Sequence, residues 1–509
     1  MSVRVASASE TVACERATID NGTTSAELME RAGNSAAREI LDRCAAHLGR
    51  GVVIYVGPGN NGGDGWVVAG SLCESGIVTT VIESIAPRSH EATMARQSAL
   101  AAGAVLGDGN GDERLVVDAL LGTGASGAPR GDMAAAIKLI SEKRADGATV
   151  VALDVPSGLD ATTGAYEGAL TADLTLSFGT MKRGHLVARA NCGEIVVLDI
   201  GLDDCAENAA LPILVDAEWV SRRVPVIRAD AHKGTRRRLA VVGGGPGMAG
   251  ATILCGEGAL RSGIGLLRIV GSAANAVAVH AAVPAALFQQ WPATPADLEK
   301  LAASSDIIAI GPGLGNSPLT RDLVERVLLA WSGPVVVDAD ALNMFAGDLE
   351  SLATLLAGRP SIVTPHPAEM GRLLGIGTAE VLANRFEIGG DIARRLGGAV
   401  LLKGTPTVVF SPDGERYVSA AGTAALATGG SGDVLTGIAS TLLVQCIDAG
   451  RTPAEAAACA AFVHGRAAEL CEFVRGTTLD DILRALPAAW NERPRRQSAG
   501  VLAHLACHR

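Results

Sequence analysis

Two glycine-rich segments carry residue types that bind anions and transfer protons. The first, VGPGNNGGDGWVVAG at 56–70, follows a short apolar run and opens a helical pattern. Its glycines let backbone N–H groups approach an anion, and the N-terminus of the helix adds a favourable dipole. A tight turn would need only the glycines, whereas Asn60, Asn61 and Asp64 add amide and carboxylate groups. The segment lacks the GxGxxG dinucleotide fingerprint, so it predicts a polar-ligand site of another kind.

Polar residues also follow three further predicted strands, at the carboxyl edge where an open parallel sheet binds its ligands. With Asn61 of the glycine-rich loop, Asp118 and Ser157 offer oxygen ligands without thiolate or imidazole, which suits a hard cation. An isolated Asp at a strand end often only caps a helix, but four such ends in register favour a site. The three segments are Asp118 with 122–127, 154–160, and 178–184 around Lys182.

The second glycine-rich segment, TGGSGDVLTGI at 428–438, precedes an apolar helical run. Its glycines free the backbone, and the helix N-terminus can hold a phosphate or a developing negative charge. Asp433 lies in the first turn, where it could take a proton from a substrate hydroxyl during in-line phosphoryl transfer. The same residue could instead only cap the helix. Taken alone, the segment leaves both interpretations open.

Short, nearly all-apolar runs alternate with helix-length segments in both halves of the chain, which predicts two different α/β domains with mostly parallel sheets. The pattern breaks around 205–235, where a basic stretch that runs from Arg222 to Arg238 is expected to be a solvated linker, and the residues from Asn491 onward are expected to form an irregular tail. The predicted strands are 52–56, 78–82, 115–120, 149–155, 174–178, 195–200, 238–244, 266–270, 306–311, 334–340, 361–364 and 399–404.

The composition and charge of the chain exclude several classes of protein. The 509 residues are 48% hydrophobic and 19% charged, which excludes disorder as the main state, and a net charge of −11 argues against nucleic-acid binding. No run is long and apolar enough for a signal peptide or a membrane span. The ten cysteines include no CxxC pair, so free thiols in a reducing compartment are expected. We expect a soluble, cytoplasmic protein.

The first half, across residues 1–215, closely resembles the NAD(P)H-hydrate epimerase domain. The motifs that carry this resemblance are LMERAG (28–33), GPGNNGGDG (57–65), VDALLGTG (117–124), DVPSGLDATTG (154–164) and TLSFGTMKRGHL (175–186). The resemblance implies a Rossmann-like fold, a potassium ion held by Asn61, Asp118 and Ser157, and acid/base work by Asp154 with Lys182 as an assisting charge. The residues implied to contact the hydrate are Asn60, Asn61, Gly62, Gly63, Asp64, Gly122, Thr123, Gly124, Ala125, Ser126, Gly127, Ala128 and Asp154.

The second half, from about 225 to 490, resembles the ADP- or ATP-dependent NAD(P)H-hydrate dehydratases, a branch of the ribokinase-like kinases. The motifs are HKGTRRRLAVVGGGPGMAGATILCGEGALRSGIGLL (232–267), GPGLG (311–315), VVDADALN (336–343), TPHPAEMGRLLG (364–375), LLKGTPTVV (401–409) and the Gly-x-Gly-Asp element ending at Asp433. The segment Thr235–Arg238 departs from the family pattern. The resemblance implies Asp433 as the base that deprotonates the hydroxyl and Glu369 as organiser of Mg²⁺ through water. It also implies nucleotide contacts by Lys403, Gly404, Thr405, Pro406, Thr407 and Gly432, and hydrate contacts by Ala251, Gly313, His366 and Asp433.

Together the two halves predict a bifunctional repair enzyme with domains at 1–215 and 225–490, a linker at 216–224 and a tail at 491–509. Its first domain would interconvert the R and S epimers of NAD(P)H hydrate, and its second would dehydrate the S epimer through a phosphate ester, which leaves more easily than hydroxide. Its partners would be these small molecules and an adenine nucleotide, with a homo-oligomer expected; ADP and ATP stay open. The alternatives are a vitamin-type kinase fused to a dinucleotide-binding module, and a non-enzymatic first half. The kinase alternative predicts that a stable phosphorylated product accumulates, whereas the repair enzyme would release phosphate.

Overall fold

The computed structural model describes residues 2–108, 111–202, 206–491 and 499–507. The chain divides into two compact units, Met1–Leu214 with Arg495–Arg509 and Val215–Pro494. Each unit has a mostly parallel sheet with helices between its strands, so the predicted α/β class with two domains is confirmed. Among the helices of the described ranges, none combines the length and the apolar character that crossing a membrane requires.

The first unit is built on parallel strands, most of which are buried. They run in the order β9-β7-β6-β5-β2-β3-β4, while β1 pairs with β8 in a separate ladder. The direction of strand addition reverses between β2 and β5, and such a reversal opens a crevice at the carboxyl edge of a sheet. The strands are β1 (Val5–Ala6), β2 (Val52–Val56), β3 (Thr79–Glu83), β4 (Val105–Leu106), β5 (Leu115–Ala119), β6 (Thr149–Leu153), β7 (Leu174–Phe178), β8 (Met181–Lys182), β9 (Glu194–Leu198) and β10 (Ile213–Leu214).

The helices of this unit begin where the sequence supplies caps. Ser7 and Glu10 form a capping box at the start of α1, and Thr24 and Glu27 form another at the start of α2. Each box satisfies backbone N–H groups that a helix leaves unpaired in its first turn. The helices are α1 (Ala8–Asp20), α2 (Ser25–Arg43), α3 (Asn60–Glu74), α4 (His90–Ala101), α5 (Gly131–Ala145), α6 (Arg183–Val187), α7 (Arg189–Cys192) and α8 (Ala206–Ala209).

The second unit has the strand order β19-β18-β17-β16-β15-β14-β11-β12-β13, parallel except for the antiparallel pairs at β18. Its strands are β11 (Arg238–Val242), β12 (Leu266–Gly271), β13 (Leu287–Gln290), β14 (Ile307–Ile310), β15 (Val335–Val337), β16 (Ser361–Val363), β17 (Ala399–Leu402), β18 (Thr407–Phe410) and β19 (Arg416–Ser419). Its helices are α9 (Ala217–Ser221), α10 (Ala249–Arg261), α11 (Ala276–Ala282), α12 (Pro295–Ala303), α13 (Pro318–Ala330), α14 (Asp340–Asn343), α15 (Leu349–Leu356), α16 (Pro367–Leu374), α17 (Thr378–Ala383), α18 (Gly389–Leu396), α19 (Ser431–Asp448), α20 (Pro453–Glu469) and α21 (Leu479–Trp490).

Residues 501–505 form a strand where the sequence suggests an irregular tail. Strand β20 (Val501–Leu505) pairs antiparallel with β9 of the first unit. Its alternating Val501 and Ala503 are buried, which supplies the apolar contact that a strand needs. The expectation of an irregular terminus is therefore wrong at 501–505, while residues 492–498 and 508–509 lie outside the described residues.

The basic stretch expected to be a solvated linker is partly built into the second unit. The ring of Trp219 in α9 packs against Tyr417 at 5.2 Å between ring centroids. The guanidinium of Arg223 lies 3.9 Å from the centre of the Trp219 ring and 2.8 Å from Glu455. Arg238 forms an ion pair with Asp306 at 2.9 Å. These basic residues therefore hold secondary structure in place rather than only facing solvent.

Two helices of the second unit, α10 and α19, approach so closely that glycine is required at their contact. A Cβ atom at Gly437 would lie 1.9 Å from the backbone oxygen of Cys255. We expect Gly437→Ala to lower the free energy of unfolding of the second unit by about 1–3 kcal/mol, because the helices must separate. Gly250→Ala in α10 has open space and is the matched control, expected to be neutral or stabilising. Equal urea midpoints for the two variants would contradict this.

Candidate active sites

The first unit contains a buried ion pair at the carboxyl edge of its sheet. The ammonium of Lys182 lies 2.5 Å from Oδ1 of Asp154, and the lysine side chain is fully buried. Lys182 also donates to Ser177 Oγ at 3.1 Å and to the backbone oxygens of Phe178 and Thr180 at 2.8 and 3.3 Å. The ammonium thus donates hydrogen bonds to several oxygen atoms, which a buried charge requires.

Asp154 follows β6 directly and has a left-handed backbone, with φ of +59°. Its Oδ2 accepts a hydrogen bond from the hydroxyl of Thr123, and its Oδ1 accepts one from the Phe178 N–H at 3.2 Å. Burial by itself would raise the pKa of Asp154, but the charge and hydrogen bond of Lys182 and the bond from Thr123 outweigh it and lower that pKa. The carboxylate is therefore held ionised and oriented.

The three residues predicted to hold potassium come from neighbouring strand ends, after β2, in β5 and after β6. The Asp118 carboxylate accepts from Ser157 N at 2.8 Å and from Ser157 Oγ at 2.6 Å, and both residues are fully buried. Asn61 is buried, and its amide nitrogen and oxygen have no hydrogen-bond partner among the described residues. No Lys, Arg or His in the described ranges pairs with Asp118. The unpaired amide oxygen of Asn61, together with a buried carboxylate that no cationic side chain in the described ranges compensates, fits a monovalent cation held by oxygen ligands.

The glycine-rich loop forms as the sequence predicts, with Asn60–Glu74 folded as α3. A Cβ at Gly62 would lie 1.9 Å from the Gly57 oxygen, and one at Gly57 would lie 2.0 Å from the Leu120 oxygen, so the turn excludes side chains there. Asp64 lies in the first turns of α3; its burial, followed by the charges of Asp154 and Glu15, raises its pKa well above the usual range.

The predicted hydrate loop 122–128 meets Asp154 through Thr123. A Cβ at Gly122 would lie 3.1 Å from the Asn61 side chain, so this loop also borders the proposed cation site. The Ala125 N–H donates to the Gly122 oxygen at 3.0 Å and closes a turn. The remaining predicted contacts make no hydrogen bond to Asp154 in the described part of the chain; they are Gly63, Gly124, Ser126, Gly127 and Ala128.

Several residues of this site were missed by sequence reasoning. Ser177 and Thr180 lie in the TLSFGTMKRGHL motif, but nothing in their types marked them as lysine partners. His185 is fully buried; burial, followed by the charge of Lys182, lowers its pKa to about 3, so its ring is neutral. Glu15 reaches the site from α1, far away in sequence, and no local pattern signals it.

The second unit places Asp433 beside a cavity of about 510 Å³ at the start of α19. The lining includes Gly432, His366 and the predicted nucleotide segment Lys403–Thr407. Gly430 has a positive φ of +92°, which shapes the turn before the helix. Burial, followed by the charge of Asp338, raises the pKa of Asp433 to about 7, although Lys403 opposes this. Asp433 can therefore bind and release a proton near neutral pH.

A second lysine, with 18% of its side chain exposed, pairs with carboxylates in this site. Lys403 lies 2.8 Å from Asp338 Oδ1 and 3.6 Å from Glu369. Thr436 donates to the other Asp338 oxygen at 2.6 Å. Burial by itself would lower the pKa of Lys403, but the negative charges of Asp338 and Glu369 outweigh it and raise that pKa. A Cβ at Gly432 would lie 3.3 Å from the Lys403 ammonium, so the glycine-rich turn and the lysine face the same space.

His366 and Glu369 form the N-terminal cap of α16. His366 Nδ1 accepts from the N–H groups of Ala368 and Glu369 at 3.1 and 3.3 Å, and the His366 N–H donates to Glu369 at 2.8 Å. Glu369 is thereby already engaged, so Mg²⁺ contact through water would leave these bonds intact, as Mg²⁺ usually keeps several waters. No cluster of three or more His, Cys, Asp or Glu side chains arranged to bind a metal occurs within the described ranges.

The remaining predicted hydrate contacts, Ala251 and Gly313, lie next to each other. A Cβ at Gly313 would lie 2.9 Å from Ala251 Cβ, and neither residue lines the cavity beside Asp433. Sequence reasoning missed Asp338, the partner of Lys403, although it lies in the VVDADALN motif. It also missed His464, a buried histidine that lines the cavity with an unpaired Nε2. Burial lowers the pKa of His464 to about 4.

Comparison with known proteins gives two family matches, one in each unit. Residues 25–184 match the model described as YjeF-related protein N-terminus, and residues 239–488 match the model described as NAD(P)H-hydrate dehydratase. The chain is 36% identical to the bifunctional NAD(P)H-hydrate repair enzyme Nnr of Escherichia coli, over 90% of this chain and 87% of that protein. It is also 36% identical to the protein of the same name from Moorella thermoacetica, over 90% and 91%.

One solved structure similar to the second unit is the ADP/ATP-dependent NAD(P)H-hydrate dehydratase of Bacillus subtilis, co-crystallised with ATP and Mg²⁺. It is 31% identical and covers 54% of this chain and 95% of its own, with a TM-score of 0.46.

The buried Lys182–Asp154 pair generates a prediction about stability. We expect Lys182→Met to lower the free energy of unfolding of the first unit at neutral pH by about 3–5 kcal/mol, because the carboxylate of Asp154 loses its compensating charge. Since the pKa of Asp154 is lowered in the folded state, its favourable contribution is present above its unfolded pKa and is lost as the pH falls through the folded value.

The deficit of Lys182→Met should therefore shrink in acid. Urea unfolding followed by the fluorescence of buried Trp66, at neutral and acidic pH, measures this. Lys138→Met is the matched control, since the Lys138 side chain is 78% exposed. A deficit for Lys182→Met that is independent of pH would contradict the explanation.

Proposed function

The chain belongs to the family of bifunctional NAD(P)H-hydrate repair enzymes, and we propose that each of its units carries one of the two activities. The first interconverts the R and S epimers of NAD(P)H hydrate, and the second dehydrates the S epimer with ADP or ATP. One observation carries this proposal: in each matched unit an aspartate of the family motifs shares a site with a lysine, since Asp154 lies 2.5 Å from Lys182 and Asp433 lines the same cavity as Lys403.

In the epimerase unit, Asp154 would act on the hydroxyl of the hydrate. Its carboxylate is held ionised by Lys182 and oriented by Thr123, so it is ready to accept a proton. The first turn of α3 would contact the hydrate through Asn60 and its neighbours, with backbone N–H groups directed at the phosphates. Asn61, Asp118 and Ser157 would hold potassium, which would supply a fixed positive charge beside the ligand.

In the dehydratase unit, Asp433 would accept the proton of the substrate hydroxyl as that oxygen attacks the terminal phosphorus of the nucleotide. The bond from phosphorus to the bridging oxygen breaks, and the shortened nucleotide leaves. The ring nitrogen of the hydrate then expels phosphate, and loss of a proton restores the reduced dinucleotide. Lys403 and the N-terminus of α19 would balance the phosphate charge, and Glu369 would position Mg²⁺ through water.

The alternative of a vitamin-type kinase is disfavoured. Such an enzyme would release a stable phosphorylated product, whereas the relatives that align over most of both chains are named as hydrate repair enzymes. The preference for ADP or ATP, the cytoplasmic location and the homo-oligomeric state stay predictions.

The test follows the near-ultraviolet absorbance of reduced nicotinamide after mixed-epimer NADH hydrate is added with Mg²⁺, K⁺ and ADP or ATP. The intact protein should recover all of the NADH. Asp433→Asn should lower the dehydration rate by about 10²–10⁴-fold and leave epimerisation intact, because only the second base is lost. Asp154→Asn should stop recovery after the S epimer is consumed, so each variant is the control for the other.

The pH dependence follows from the same carboxyl group. Because Asp433 must be ionised to accept a proton, the dehydration rate should rise as the pH rises through about 7. Failure of the intact protein to regenerate NADH with either nucleotide would contradict the repair function. Accumulation of a phosphorylated product would favour the kinase alternative.

The proposed cation site predicts an ion-specific effect on stability. K⁺ should raise the midpoint of thermal unfolding of the first unit above its value in the same concentration of Li⁺, since binding to the folded state stabilises it. Ser157→Ala should abolish this difference, because it removes the hydroxyl and its bond to Asp118. Ser141→Ala, on α5 away from the strand ends, is the control. Equal midpoints in both salts for the intact protein would contradict the site.

A further inference from the structure

A carboxyl group outside the family motifs faces the Asp154–Lys182 pair from helix α1. The hydroxyl of Thr11 lies 3.2 Å from that of Thr180, and the Thr180 backbone oxygen lies 3.3 Å from the Lys182 ammonium. Residues four apart share one face of a helix, so Glu15 lies one turn along from Thr11 on the side that faces the pair. The electrostatic interaction of Glu15 with both Asp154 and Lys182 agrees with this placement.

Helix α1 is fixed firmly enough to hold Glu15 in this position. Its capping box begins at Ser7, and Glu10 of that box forms an ion pair with Arg183 at 3.0 Å. The Ala8 N–H donates to Thr162 Oγ1 at 2.9 Å, and Ala6, just before the helix, pairs with Lys182 between β1 and β8. The helix that carries Glu15 is thus joined to the strand that carries the catalytic lysine.

Resting on the proposed epimerase function, we propose that Glu15 is a second catalytic residue of the first site. It donates a proton to the ring nitrogen of the hydrate while Asp154 accepts the proton of the hydroxyl. As the O–H bond breaks, its electron pair forms the double bond of a carbonyl group. The bond between that carbon and the ring nitrogen breaks, and the nitrogen keeps the electron pair and takes the proton of Glu15. Rotation of the open aldehyde and the reverse transfers close the ring from the opposite face, with no net change in protons or electrons.

The charges at the site match these two roles. Two carboxyl groups, Glu15 and Asp64, interact electrostatically with both Asp154 and the ammonium of Lys182. Lys182 bonds directly to Asp154 and keeps it ionised. Burial, followed by the charge of Asp154, raises the pKa of Glu15 to about 7, and no described residue donates a hydrogen bond to its carboxylate. Paired groups with pKa values pushed apart are the arrangement that acid/base catalysis needs.

Glu15→Gln tests the proposal, because the amide keeps the shape of the side chain but cannot transfer a proton. Epimerisation of purified R hydrate by the full chain is measured across pH. We expect the intact protein to lose activity as the pH rises through about 7, since Glu15 must be protonated to donate. Glu15→Gln should lower kcat by about 10²–10⁴-fold with KM little changed and should lose this alkaline limb. Glu15→Asp should restore part of the rate together with the limb.

Two controls separate catalysis from folding. Asp20→Asn makes the matched change at an exposed position of the same helix and should leave kcat and the pH profile as in the intact protein. Dehydration of purified S hydrate by the second unit should be equal in all variants. A wild-type kcat and alkaline limb in Glu15→Gln would overturn the proposal, and so would a Glu15→Asp variant as inactive as Glu15→Gln.

The failure of the inference is distinguishable from failure of the proposed function. If Asp154→Asn is inactive in epimerisation while Glu15→Gln has the intact rate, only the role of Glu15 is overturned. If the intact protein does not accelerate epimerisation at all, the proposed function of the first unit fails, and this inference fails with it.

Discussion

Removing the charge of a lysine from water is costly unless a carboxylate lies against it, and this constraint applies in both units. Lys182 pairs with Asp154 in the first unit, and Lys403 pairs with Asp338 in the second. Each site holds a further carboxyl group whose negative charge the lysine does not fully balance. This group is Glu15 in the first unit and Asp433 in the second, and its pKa is raised to about 7. The two units therefore share one arrangement of charges. In each, an ion pair lies near a carboxyl group that can exchange a proton at neutral pH.

These pairs depend on backbone geometry just after a strand. Asp154 follows β6 with φ of +59°, and Ala339 follows Asp338 after β15 with φ of +49°. A left-handed backbone at a residue other than glycine costs about 1–3 kcal/mol and persists only where the surroundings hold it. The hydrogen bonds of Thr123 and Thr436 to the two aspartates contribute to holding these segments. The strained residue is the paired aspartate itself in the first unit and directly follows the paired aspartate in the second.

Much of this architecture could be predicted from local pattern. The twelve predicted strands correspond to strands of the sheets, within two or three residues at each end, because buried parallel strands are short apolar runs bounded by polar or glycine residues. The two-residue strands β1 and β8 carry no such pattern, and they are the ones that bring α1 to Lys182. Glu15 and Asp338 escaped notice because their roles arise from contacts between residues distant in sequence. The pairing of β20 with β9 was missed for the same reason.

That pairing makes the first unit discontinuous along the chain. Strand β9 ends at Leu198, and its partner begins only at Val501, after the whole of the second unit. On a ribosome adding about 5–20 residues per second, the edge of β9 waits on the order of 15–60 s for its neighbour. An unpaired strand edge is a template for pairing with other chains. Until residues 501–505 have been synthesised, the edge of β9 therefore lacks its β20 partner and is available for pairing with other chains.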